Sequence, residues 1–173
     1  MSAEAAELRV APARSRDIPA LAAIWRELMD LHERTDPRFT LALDASARWQ
    51  AMAEEMVDRN QGFLLAAYRG QRPVGFCVGW IARNPPIYRV PEVGFISEIA
   101  VTHGEQRRGV GRALVLAATR YFKSQGVDEF QLSTAVWNED AQRFWEALGG
   151  ESLLVRYRFP INHPRLLGVE RPP

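Results

Sequence analysis

Apolar positions recur along the chain at two periods, one close to 3.6 and one close to 2, and the two alternate. Leu8 to Ala11 read as a short strand ended by Pro12. Leu21, Ile24, Trp25, Leu28 and Leu31 then recur at helical spacing, with Ser15 as the cap, Asp17 in the first turn and Pro19 early enough to be tolerated. Asp44 caps a second helix whose apolar stripe is Trp49, Met52, Ala53, Met56 and Val57. The tryptophans and methionines of both helices are expected in the core. Phe63 to Tyr68 and Val74 to Arg83 follow as strands, joined by a tight Arg69-Gly70-Gln71-Arg72 connection. In the second of them Val74, Phe76, Val78 and Trp80 take one face, and Cys77 and Ile81 the other. Pro85, Pro86 and Pro91 then make Asn84 to Pro91 a stiff loop.

An apolar run from Phe95 to Val101 opens the second half. It ends in a polar loop, and a helical pattern over Arg112 to Gln125 starts at once, burying Leu114, Ala117, Ala118 and Tyr121 and stopping at Gly126. Glu129 to Ala135 read as a strand. Asn138 caps a short helix, with Glu139 and Asp140 at its positive end and a stripe of Ala141, Phe144, Trp145 and Leu148. Ser152 to Phe159 read as a last strand, with Leu153, Val155, Tyr157 and Phe159 on one core-like face, and the tail from Pro160 is rich in proline. The predicted order is β-α-α-β-β-β-α-β-α-β. It gives an α/β fold, a mixed sheet with helices on both faces, as a single domain over residues 1–173 with its core at 8–159 and its tail at 160–173.

Composition narrows the function. The chain has 173 residues, 47% of them apolar and 25% charged, as in an ordinary globular protein. A net charge of +1 argues against a dominant nucleic-acid surface. No apolar run approaches membrane-span length, and Met1 to Glu7, small and acidic, is not a signal or transit peptide. The single Cys77 rules out an internal disulfide framework and fits a reducing, cytoplasmic setting. His32, His103 and His163 show no metal-ligand spacing, so no metal is expected.

The loop after Val101 carries candidate chemistry. Arg107, Arg108 and Arg112 surround Gly109 and Gly111 at the start of a helix. Glycines let backbone approach a ligand, a helix N-terminus presents unpaired N–H groups, and arginines add charge where a phosphate sits. The stretch reads as an anion cradle suited to a pyrophosphate. It is not a dinucleotide fingerprint, since Leu114 stands where a third glycine is needed. It is not a nucleoside-triphosphate loop either, since Arg112 and Ala113 follow the second glycine.

Gln106-Arg107-Arg108-Gly109-Val110-Gly111, behind Ile99-Ala100-Val101, resembles the acetyl-CoA signature Gln/Arg-x-x-Gly-x-Gly/Ala of the GCN5-related N-acetyltransferases. Asn138-x-x-Ala141-x-x-Phe144-Trp145-x-x-x-Gly149 resembles that family's second motif, so the likeness covers roughly residues 8 to 159. It implies an acetyl-CoA-dependent transfer of an acetyl group to a primary amine by direct attack. By the same likeness, backbone groups of Ile99, Ala100 and Val101 pair with the pantetheine arm in a gap between splayed strands. The N–H groups of Arg107, Arg108, Gly109, Val110, Gly111 and Arg112 take the pyrophosphate, and Asn138 contacts the cofactor near its thiol. Trp145, where the family has a tyrosine, is expected to pack beside the pantetheine.

Such a reaction needs a base, because an alkyl amine is protonated near neutral pH. Glu98 is the candidate, as the carboxylate inside the central apolar strand, and Glu92 is the second choice. Alternation puts Ser97 and Glu98 on opposite faces, so Glu98 reaches a site on the Ser97 face only if a bulge rotates it. Relatives that carry the acid at the position of Ser97 or Ser133 have no counterpart here. Many relatives also use a tyrosine as acid where this chain has Trp145, which has no useful acidity, so the proton donor stays open. The acceptor also stays open between a peptide N-terminus, a lysine, a polyamine and an aminoglycoside. Arg34 to Leu43 and Asn84 to Pro91 are its suspected walls. A non-catalytic acetyl-CoA sensor is the alternative function. The family often dimerises, so a homodimer is a further expectation.

Overall fold

The computed structural model describes residues 7–59 and 62–167. Met1 to Ala6 and Gly168 to Pro173, the ends of the acidic stretch and of the proline-rich tail, lie outside the described residues. The chain divides into two compact units, one ending at Ser133 and one beginning at Thr134.

The first unit is a mixed sheet in the order β1-β2-β3-β4-β5, with β1 at Leu8–Pro12, β2 at Phe63–Arg69, β3 at Arg72–Arg83, β4 at Glu92–Val101 and β5 at Phe130–Leu132. Neighbours from β1 to β4 run antiparallel, and β4 to β5 is parallel, as a strand–helix–strand crossover requires. Three helices cover the sheet: α1 at Ile18–Thr35, α2 at Ala45–Arg59 and α3 at Val110–Ser124.

Strand alternation decides which helix each side chain meets. Leu64, Ala66 and Tyr68 of β2, Phe76 and Val78 of β3 and Ala100 of β4 form one cluster with Ile18, Leu21 and Trp25 of α1 and Trp49 and Ala53 of α2. The opposite face meets α3. Phe63 packs edge-on against Tyr121 and Phe122. A Cβ at Gly94 would come within 2.7 Å of the Phe122 ring, so only glycine lets α3 lie this close to β4. The mixed sheet with helices on both faces is therefore the architecture expected from the order of elements.

Some local expectations differ. The strand expected over Glu129 to Ala135 is confined to β5, and Met52, expected in the core, is exposed. Ser15 does not cap α1. It opens a single turn of 3-10 helix at Ser15–Asp17, after which α1 begins at Ile18 with Pro19 in its first turn. Asp17 is buried, and its Oδ2 accepts the Arg14 N–H at 2.9 Å and the Tyr68 hydroxyl at 2.7 Å. That carboxylate, not the Ser15 hydroxyl, organises the entry to the helix.

The second unit contains α4 at Glu139–Ala147. Asn138 caps it, its side chain accepting the Ala141 N–H at 3.1 Å, and Gly149 follows at a φ of 91°. The strand expected over Ser152 to Phe159 is not formed: these residues carry no ladder bonds. Tyr157, placed in the core by alternation, is 75% exposed. A strand is stable only beside another, and no other strand lies among the described residues of this unit.

Candidate active site

The site is built around an irregularity in β4. Val78 pairs with Glu98, but the next residue of β3, Gly79, pairs with Ile96. Ser97 is the extra residue of a β-bulge. Above the bulge Phe95 meets Trp80 of β3, with ring centroids 5.3 Å apart. Below it Glu98 turns to the same face, towards α1 and α2. Ile96, between them, is buried on the α3 side. The rotation that Glu98 needs is thus present.

Glu98 then meets two tryptophans. Trp25 Nε1 donates to Oε1 at 3.2 Å, and Trp49 Nε1 donates to Oε2 at 2.8 Å. The two indoles stack with centroids 5.6 Å apart and planes 22° from parallel. Burial pushes the Glu98 carboxyl up from its ordinary value, and the Trp49 and Trp25 N–H groups oppose that rise. A partly buried carboxylate of raised pKa is suited to accept a proton near neutral pH. Glu92, the second candidate, lies six residues earlier, about 20 Å along the strand, and is paired with Arg83 at 3.7 Å.

The same bulge opens the edge of the strand. Pairing of β4 with β5 covers Gly94, Phe95 and Ile96 and ends there, opposite Leu132. From Ser97 to Val101 that edge of β4 has no strand neighbour among the described residues. Ile99, Ala100 and Val101 all lie in this open stretch, although the Ala100 side chain is buried in the core. An open edge offers alternating N–H and C=O groups to any extended chain of amides.

The loop after Val101 is strained and then capped. His103–Glu105 form one 3-10 turn. Arg107 has a φ of 59°, the one positive value outside glycine among the described residues, and Gly109 follows at 81° as the N-cap of α3. Ala113 N–H bonds to the Gly109 carbonyl at 3.0 Å. The N–H groups of Arg107, Arg108, Gly109, Val110, Gly111 and Arg112 have no backbone acceptor among the described residues. The Val110 side chain is buried, so Val110 anchors the loop to the core while its N–H stays at the helix end.

The three arginines are not equivalent. Arg108 pairs with Glu105 at 3.4 Å. Glu105 is buried, and it also pairs with Arg72 at 3.0 Å and Arg69 at 3.3 Å of the β2–β3 hairpin. One carboxylate thus fastens the loop to the sheet. On the other side Glu27 of α1 accepts from the Thr102 hydroxyl at 3.0 Å and the His103 N–H at 3.2 Å. Arg107 and Arg112 are exposed. Neither Glu27 nor Glu105 stands out in sequence, because each acts on residues that only the fold brings near.

The suspected acceptor walls are ordered loops. Pro37–Phe39 form a 3-10 turn, and Phe39 packs edge-on against His32 at 5.3 Å. The Leu41 N–H bonds to Glu33 at 2.8 Å. Asn84 N–H closes the second loop on the Pro91 carbonyl at 2.9 Å, leaving Ile87 and Tyr88 exposed. Asn138 and Trp145 belong to the second unit, where Trp145 packs edge-on against Phe144 at 4.9 Å. Among the described residues, no three His, Cys, Asp or Glu side chains are grouped to hold a metal ion, and no helix is long and apolar enough to cross a membrane.

Comparison with known proteins bears on the family and the fold. The profile described as the acetyltransferase (GNAT) family fits residues 23–150. A mycothiol acetyltransferase from Pseudarthrobacter chlorophenolicus is 33% identical over 106 residues, which cover 61% of this chain and 31% of that protein. The match thus spans about a third of the length of that relative. Among solved structures, a mutant of a Bacillus halodurans protein superposes with a TM-score of 0.78 at 18% identity, covering 88% of this chain and 98% of that one. An aminoglycoside N-acetyltransferase in complex with CoA superposes with a TM-score of 0.73 at 20% identity, covering 92% of this chain and 99% of that one.

Proposed function

The chain belongs to the acetyltransferase (GNAT) family, and from that premise we propose that it transfers an acetyl group from acetyl-CoA to a primary amine by direct attack. The observation that carries this reading is the bulge at Ser97, which turns Glu98 inward and frees the β4 edge at the same point. The family match runs from residue 23 to 150, past the end of the first unit, which supports treating residues 1–173 as one acetyltransferase domain.

The chain's groups suit acetyl-CoA. The open edge at Ile99 to Val101 fits the amides of the pantetheine arm, and the free N–H groups of Arg107 to Arg112 fit the pyrophosphate. Acetyl-CoA, when bound, supplies the acetyl thioester. Glu98 accepts the proton of the incoming ammonium, and its raised pKa matches that task. The backbone N–H of Ile99, on the open side of the ladder, donates to the acyl oxygen. Asn138 is proposed to contact the cofactor near its thiol end, as its place in the second motif implies, and Trp145 to pack beside the pantetheine. A lone buried Cys77 fits a cytoplasmic setting.

The acceptor is a small molecule or peptide bearing a primary amine. The name of the relative points to mycothiol, and that of the CoA-bound neighbour to an aminoglycoside. An aminoglycoside carries its amino groups on sugars, which makes amino sugars the first class to screen.

Calorimetric titration of acetyl-CoA into wild type and a Gly111→Glu variant tests the cofactor site. Wild type should bind, and the variant should not, because a bulky acid at the helix N-terminus blocks the cradle by volume and charge. Equal binding by the variant would place the cofactor elsewhere. A panel of amines then separates the enzyme from a non-catalytic acetyl-CoA sensor.

A further inference from the structure

Trp25 and Trp49 lie in different helices, 24 positions apart in the chain, yet both end on one carboxylate. Trp25 is 5% exposed and Trp49 3%, so each N–H must find an acceptor inside the protein. Many acceptors would satisfy that need, since backbone carbonyls abound at helix and strand ends. Here each indole selects a different oxygen of Glu98.

That choice has chemical consequences. An indole N–H donates and cannot accept. A carboxylate offers both oxygens as acceptors, whereas a protonated acid must give up one of them as O–H. Two donors on two oxygens therefore favour the ionised form and fix the carboxylate plane. The near-parallel stack of the rings holds the donors in register, and Trp49 is held from behind by the edge of Phe76 at 5.2 Å.

We propose that Trp25 and Trp49 are positioning residues for the reaction: together they hold Glu98 ionised and oriented as the proton acceptor. This rests on reading Glu98 as the base. Among the described residues no charged neighbour shares the task. On α1, Arg26 is taken by Asp30 and Glu33, and Glu27 by Thr102 and His103. The His32 ring bonds to the Leu28 carbonyl. On α2, Arg48 pairs with Asp44 and Arg59 with Glu55. Across the ladder, β3 presents Val78. Burial raises the carboxyl's pKa, and the two indoles are the groups that oppose it.

The sign follows. Removing a donor from the charged form raises the pKa further, so the base is protonated up to a higher pH. In Trp49→Phe and Trp25→Phe the acidic limb of kcat/KM should move to higher pH, with activity on that limb falling about tenfold per donor lost. Activity well above the limb should recover only in part, because the carboxylate is ionised there but held by one donor fewer, and the affinity for acetyl-CoA should not change. Because both rings are buried, benzothienylalanine at position 49, which keeps the shape and lacks the N–H, serves as the second variant.

The indole Nε1–H signals of Trp25 and Trp49, followed by NMR against pH in the protein without cofactor, read Glu98 directly. Their titration should vanish in Glu98→Gln and move to higher pH at the remaining indole in each single variant. If the NMR titration moves and the kinetic limb does not, Glu98 is not the base and the positioning role falls with it. If the NMR titration does not move, the indoles do not govern the carboxylate, and the proposal is overturned while the base reading stands.

Discussion

Val78 and Glu98 face each other across the β3–β4 ladder, although the adjoining rung joins Gly79 to Ile96. A regular strand would have sent Ile96 and Glu98 to the same face. The extra residue, Ser97, sends Ile96 into the core beside α3 and Glu98 towards the indoles. It also marks the point where β4 and β5 part. One inserted residue thus sets both the direction of a carboxylate and the length of free strand edge beside it.

Glu98→Gln tests the chemistry and the linkage together. A neutral amide cannot take a proton, so kcat should fall at least about a hundredfold. Stability should change in a defined direction. The folded pKa of Glu98 is raised, so its contribution to stability is full below the unfolded pKa and is lost as pH rises through the folded value. The Tm of wild type, measured by circular dichroism, should therefore fall relative to Glu98→Gln as pH rises from 4 towards neutrality, on the order of the ordinary carboxylate range and above. A constant difference across that range would show that Glu98 is not perturbed by the fold.

Glu105 is the next test, because three guanidinium groups converge on a side chain that is 8% exposed. Glu105→Gln keeps the volume and removes the charge. The loss should be about 2 kcal/mol by urea unfolding, the usual worth of hydrogen bonds to a charged group. The arginines should rank by burial. Arg69, with 21% of its side chain exposed, should cost more on truncation to Ala than Arg72 at 66%. The reverse ranking would mean that the hairpin, and not the carboxylate, holds the loop.

Local patterns were the legible part of this chain. The Asn138 cap, the Gly126 stop and the glycines after Arg108 are each recognised within a few residues, because the physics that selects them is local. Of the strand pairing, the β2–β3 hairpin was legible, through its tight Arg69-Gly70-Gln71-Arg72 connection. Contacts across the fold were not legible. Trp25 and Trp49 read as core residues, which they are. Their N–H groups meet Glu98 from 73 and 49 positions away, and spacing carries no trace of that. The bulge at Ser97 was an open alternative for the same reason, since a single extra residue leaves the apolar run from Phe95 to Val101 unbroken in composition. Ser152 to Phe159 show the opposite error: a clean alternation predicts a strand, but alternation says only which face would be buried if a partner strand were there.

Tyr68 and Asp17 give a prediction at alkaline pH. Burial, reinforced by the bond to Asp17, pushes the Tyr68 phenol up to about 12. The neutral phenol is the form the fold prefers. Its contribution is full below the unfolded value near 10 and is lost as pH rises towards 12. Tyr68→Phe should cost about 1 kcal/mol at neutral pH, by loss of one buried hydrogen bond to Asp17. The stabilities of wild type and variant should converge between those two pH values. Failure to converge would mean that the hydroxyl does not rest on the carboxylate in solution.

Gly109 and Gly104 stand five residues apart in the same loop and should respond differently to the same change. A Cβ at either position meets nothing within 4 Å, so steric fit to neighbours does not separate them. Backbone geometry does. Gly109 sits at a φ of 81°, where an L side chain is strained, and Gly104 has no positive φ. Gly109→Ala should cost about 1 kcal/mol, and Gly104→Ala should stay within about 0.5 kcal/mol of wild type. The strain in Gly109→Ala would be relieved by turning the peptide units on either side, which are those that aim N–H groups at the proposed pyrophosphate. Calorimetry should therefore find acetyl-CoA binding weakened in Gly109→Ala and unchanged in Gly104→Ala. If both variants bind acetyl-CoA as wild type does, the orientation of the loop's backbone is not what recognises the phosphates, and the exposed Arg107 and Arg112 side chains become the groups to change.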